Sequence, residues 1–82
     1  MEIEKIQRFL KNKHKFDRKK EDFEIIEDIK KNSNKICNLI KKNNIESLDT
    51  AIASFILELI KVCNIYEFDL PKVIKEKLNY GL

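Results

Sequence analysis

Glycine and proline are almost missing: the 82-residue chain has one of each, Gly81 and Pro71. Tight β-turns draw heavily on these two residues, so their scarcity argues against hairpin-rich β folds and for helices. Cysteine is equally sparse. Cys37 and Cys63 fall on different expected helices, with no CxxC spacing and no neighbouring histidine, which excludes a disulfide framework or a zinc site and predicts reduced, buried thiols. No continuous apolar run resembles a secretory leader or a membrane span. The N-terminus, MEIEKIQRFLKNKHK, is amphipathic and charged, so a cytoplasmic location with no membrane association is expected. A Gly-rich phosphate loop is lacking too, and the single histidine, His14, lies in a basic connection with no fixed partner, so P-loop chemistry and nucleophilic catalysis have no support.

What remains is apolar and charged in near-equal measure, at 43% and 38%, the composition of a water-facing helical protein. One domain of this size buries only about 60 to 65% of its unfolded surface, so self-association is an expected source of stability. The net charge of +3 is uneven. Residues 1–20 hold eight Lys or Arg against three acids, and residues 21–82 hold nine against eleven. The basic excess therefore belongs to an N-terminal helix and connection, residues 1–20 of a single domain spanning 1–82. Lys11 to Lys20 could attract nucleic acid through phosphates, although only Phe16 and His14 interleave there and no stacking platform is evident. Lys, Ile and Asn are abundant throughout, as an AT-rich coding sequence would make them.

Periodicity predicts four helices, an all-α fold with two long antiparallel helices between short N- and C-terminal ones. Residues 2–14 carry Ile3, Ile6, Phe9 and Leu10 on one face. Residues 15–21 read as a connection. The stripe Phe23, Ile26, Ile29, Ile36 and Ile40, widened by Ile25, Cys37 and Leu39, predicts a helix from Asp22 to about Lys42, ended by Lys41-Lys42-Asn43-Asn44. Ser47 is the expected N-cap of a third helix, Leu48 to about Asn64. That helix is apolar over most of its circumference, and 82 residues offer too little to cover it. A homodimer or homotetramer is therefore expected, meeting through Ile52, Phe55, Ile56, Leu59 and Ile60 and forming a helical bundle by oligomerisation. Asp69 caps a last helix, Leu70 to Tyr80, with Pro71 in its first turn and Gly81 beyond its end.

The docked first helix, the long pair, and the sequence Asn64, Phe68-Asp69-Leu70, Glu76-Lys77-Leu78-Asn79 together resemble the MazG-type nucleotide pyrophosphohydrolases. The resemblance implies an all-α scaffold in which an EExxE pattern faces an ExxD turn and holds Mg²⁺ against substrate phosphates. Here the first pattern falls near Lys31, Asn32 and Lys35, and the second on Ala51 and Ser54. Two ammoniums, an amide, a methyl and a hydroxyl cannot hold a divalent cation. No catalytic residue, metal ligand or cofactor is assigned on this reading.

The resemblance instead suggests a noncatalytic protein that sequesters a nucleotide or other phosphorylated ligand, with Lys31, Asn32, Lys35, Ser54 and Lys77 as its contacts. Two alternatives stand beside it. One is a phage-type inhibitor acting by protein–protein interaction on a host defence system, in the manner of an anti-CRISPR protein. The other is a Mg²⁺-dependent pyrophosphohydrolase that uses shifted acids: Glu24, Glu27 and Asp28 with Glu46 and Asp49.

Overall fold

A computed structural model describes residues 2–78. It is all-helical in that range, with four helices: α1 (Ile3–Lys13), α2 (Asp22–Lys41), α3 (Ile45–Ile65) and α4 (Leu70–Lys77). Among the described residues no helix is long and apolar enough to cross a membrane. The expected end of the last helix at Asn79–Tyr80, and the cap role of Gly81, lie outside the described residues.

Helix boundaries follow from capping chemistry. α2 opens on a capping box, the Glu24 side chain accepting from the Glu21 amide at 3.1 Å. It closes in a Schellman motif: Asn43 takes φ 55°, the Asn43 amide donates to the Ile40 carbonyl, and the Asn44 amide donates to that of Leu39. Asn44 then caps α3 at once, its Oδ1 accepting from the Ser47 amide at 3.3 Å. Ser47 is therefore the third residue of α3 and not its cap, and the helix begins three residues before the expected Leu48. The end of α3 repeats the motif, with Glu67 at φ 61° and the Phe68 amide donating to the Cys63 carbonyl at 2.8 Å. Asp69 caps α4 as expected, accepting from the Lys72 amide at 3.3 Å.

The chain forms two compact units, residues 1–19 with 59–82, and residues 20–58. In the first, α1 packs on α4 and buries Leu10, and Ile60 is 3% exposed. Ile60 thus belongs to the chain's own interior and not to an outward face. Gln7 ties α1 to the turn before α4: its Nε2 donates to the Phe68 carbonyl at 2.5 Å, and its Oε1 accepts from the Leu70 amide at 3.1 Å. The Asn64 side chain donates back to the Gln7 carbonyl at 3.1 Å.

The second unit is an antiparallel hairpin of α2 and the first two-thirds of α3, with Asn32 hydrogen-bonded to Glu58 across the seam. The side of α2 turned inward is Ile25, Ile29, Asn32, Ile36 and Leu39, a clean alternation of four and three, of which Ile25 is buried and the others half-buried. Leu48, Ala51, Phe55 and Glu58, all half-buried, answer it from α3. The stripe expected from sequence is rotated. Ile29 and Ile36 face in, while Phe23, Ile26 and Ile40 are 67%, 51% and 59% exposed. Cys37, expected as a buried thiol, is exposed for the same reason. α2 is apolar around too wide an arc for one neighbour to cover.

Candidate functional site

Three faces of α2 can be placed by the 100° that separates successive residues in a helix. One is the seam with α3. A second, roughly 120° away, is the exposed apolar stripe. The third carries Lys31, Asn34, Lys35, Asn38 and Lys42 at spacings of three and four, a run that puts every one of them on a single side. These residues line an open surface hollow, with Asn32 and Leu39 at its border towards α3.

Lys31, Asn32 and Lys35, expected as ligand contacts, therefore stand together. Asn32 is the exception in chemistry. Its amide nitrogen, the atom a phosphate oxygen would seek, is turned to Glu58, and a half-buried carboxylate beside it repels an anion. Ser54 is exposed on α3 and does not line the hollow, all of whose walls come from α2. Lys77 belongs to the other unit, where it closes α4 with Lys75 as cations complementing the negative end of the helix dipole. Sequence reasoning missed Asn34, Asn38 and Lys42. Their signal is the spacing itself, since 31, 35, 38 and 42 continue one helical row.

Electrostatics favour this side of α2 for anions. Among the described residues Lys31, Lys35 and Lys42 make no ion pair, whereas neighbouring cations do: Lys20 reaches Asp28 at 2.5 Å and Lys30 reaches Glu27 at 3.9 Å. The hydrogen bond to Asp28 holds the Lys20 ammonium above its ordinary pKa, and the charges of Asp28, Glu58 and Glu24 act in the same sense against a smaller effect of burial. Among the described residues the ion pairs of this hairpin thus lie near the start of α2, and Lys31, Lys35 and Lys42 lie further along.

The shifted acids do not form a cage within the hairpin. Glu24, Glu27 and Asp28 sit in the first turns of α2, and Glu46 and Asp49 in the first turns of α3. The Asn32–Glu58 register sets these ends apart by roughly 20 Å, some thirteen residues of helical rise. Asp49 accepts from the Thr50 amide at 2.6 Å. Among the described residues no three His, Cys, Asp or Glu side chains converge as a metal site would require.

No family model matches the chain, and no curated protein or solved structure matches it either.

Proposed function

We propose that this chain is a noncatalytic helical binding protein that holds a phosphorylated small molecule, with a nucleotide as the fitting class, and that it works as a homo-oligomer. One observation carries the reading: three unpaired lysines, Lys31, Lys35 and Lys42, share a hollow with the amides of Asn34 and Asn38. Ammonium groups supply charge to phosphate oxygens, and carboxamides supply directional donors. Leu39 at the border gives an apolar surface against which a base or other ring could rest. The MazG-like resemblance supports the same reading, because Lys31 and Lys35 stand where that family would place magnesium ligands. Direct ammonium contacts would then replace a metal-bridged triphosphate.

Titration calorimetry with nucleoside mono-, di- and triphosphates and cyclic nucleotides, in EDTA, tests the proposal. Binding without metal, weakened at least about tenfold by Lys31→Glu with Lys35→Glu and falling steeply with salt, is the expected result. No heat across the panel removes the reading. Release of pyrophosphate from a nucleoside triphosphate in Mg²⁺ overturns its noncatalytic part.

A further inference from the structure

We infer that the hairpin of α2 and α3 carries a self-complementary face, built from Phe23, Ile26 and Ile40 on α2 and Ile45, Ile52 and Ile56 on α3, which is covered by a second copy of this chain. The inference deepens the oligomeric part of the proposed function by naming its surface, and it does not depend on the ligand.

The two stripes belong to one surface. Seen from its own N-terminus, each helix carries its exposed apolar residues roughly 100 to 120° clockwise of the side that packs on its neighbour. The helices run antiparallel, so reversing the viewpoint for one of them brings both stripes to the same side of the hairpin. Exposure agrees: Ile45 is 69%, Ile52 40% and Ile56 52% exposed. The lysine and asparagine row turns the other way from the seam. Pairing through the apolar face therefore leaves that row open to ligand on both copies.

Area and constancy single out the occupant. Taking about 100 Å² for each half-exposed Ile or Phe, the six side chains present on the order of 600 Å², the upper end of what a monomer shows as its largest patch and close to the roughly 800 Å² per partner of a stable interface. Among the described residues of this hairpin only Ile25 is buried, at 4% exposed. A two-helix unit with so small an interior needs its cover at all times, and a second copy is the partner present whenever the chain is. Packed about a two-fold axis, two hairpins make a four-helix bundle, in which each stripe meets its own equivalent. On α2 the row is interrupted by Lys30, which pairs with Glu27 at 3.9 Å, and by Ser33, and on α3 by Asp49 between Ile45 and Ile52; one cation and one acid balance on the face, so no strongly acidic or basic partner is called for.

Cys37, exposed and in the same row as Ile26 and Ile40, reports which face is used. Light scattering of the ligand-free chain should give twice the chain mass, with a melting temperature that rises with protein concentration. Cys37 should react with a thiol reagent at least about tenfold slower in the assembly than after dilution to the monomer. Ile56→Lys should dissociate it, while Leu57→Lys, on the far side of α3, should leave the mass unchanged. If Ile56→Lys merely unfolds, the Cys37 rates of the unaltered chain decide alone. A single-chain mass with a concentration-independent melt overturns the inference, and so does an oligomer in which Cys37 reacts at its monomer rate. Nucleotide binding that persists in a monomer would separate the failure of this inference from that of the ligand reading.

Discussion

Asn32 on α2 donates its side-chain amide to the carboxylate of Glu58 on α3, and both residues are half-buried in an otherwise apolar seam. A polar pair in such a place fixes register. Sliding one helix by a turn would leave a carboxylate facing Ile29 or Ile36 with no donor. Asn32→Ala should destabilise the hairpin by about 1 to 3 kcal/mol, the usual cost of an unsatisfied buried polar group, whereas Glu58→Gln, which keeps an acceptor, should cost less. Urea denaturation measures both. Removing the Glu58 charge should also tighten phosphate binding a few-fold, because the carboxylate is bonded to Asn32 at the border of the lysine hollow. Unchanged affinity in Glu58→Gln would place the ligand elsewhere.

The connection between the long helices offers a sharp comparison. Asn44 accepts from the Ser47 amide, and Ser47 is already helical. Asn44→Ala should therefore cost about 1 kcal/mol, the typical loss of an N-cap, while Ser47→Ala should fall within about 0.5 kcal/mol of the unaltered chain. The opposite order in thermal or urea melts would restore Ser47 as the cap.

Glu67 holds a left-handed backbone, φ 61°, that closes α3 in a Schellman motif. A side chain with a Cβ is strained there, and glycine is not. Glu67→Gly should raise stability by about 0.5 to 1 kcal/mol, part of the relief being offset by a more flexible unfolded chain. A destabilised variant would mean that the Glu67 side chain makes a contact worth more than the strain.

Four helices and their order could be read from periodicity and caps, since long apolar rows and Asp69-Leu70-Pro71 are local signals. Which side of α2 faces α3 could not. Phe23, Ile25, Ile26, Ile29, Ile36, Leu39 and Ile40 spread over roughly 200° of the helix, and hydrophobicity alone does not rank two apolar arcs against each other. The choice is made in three dimensions, where Asn32 and Glu58 must meet. The same ambiguity hid the outward stripe: the sequence groups Ile52, Ile56 and Ile60 on one interface, and the chain leaves Ile52 and Ile56 exposed while Ile60, only four residues on, is buried in the first unit. In the candidate site, Lys31 and Lys35 were visible as an i,i+4 pair. The row that extends them through Asn38 to Lys42 needed only the same count carried about two turns further.

Cys63 is half-buried, and burial raises its thiol pKa above the ordinary 9.0 against a weaker opposing backbone hydrogen bond. The thiolate is the reactive form, so at pH 8 a buried thiol of this kind is mostly protonated and slow. In a Cys37→Ser variant, the reaction rate of Cys63 with a disulfide reagent should climb with pH and reach its midpoint above 9. A midpoint below 9 would show an environment that stabilises the anion.

Gln7 fills two opposite roles with one side chain, donating to the Phe68 carbonyl and accepting from the Leu70 amide. Among side chains of this shape, a carboxamide or a protonated carboxyl can do both and a carboxylate cannot. Gln7→Glu keeps the acceptor but, once ionised, sets a negative oxygen against the Phe68 carbonyl, so the introduced carboxyl should have a folded-state pKa raised above the unfolded value of about 4.3. The sign of the linkage follows: the native state binds the extra proton, and the variant's stability is fully present below about pH 4.3 and is lost as pH rises through the folded-state pKa. Against Gln7→Ala measured at the same pH values, which lacks both bonds throughout, Gln7→Glu should be the more stable by about 1 kcal/mol in acid and the less stable at neutral pH. Chemical denaturation of the two variants at acid and neutral pH checks the crossing, and parallel pH curves would mean that the introduced carboxylate turns away to solvent and that the Phe68 carbonyl finds another donor.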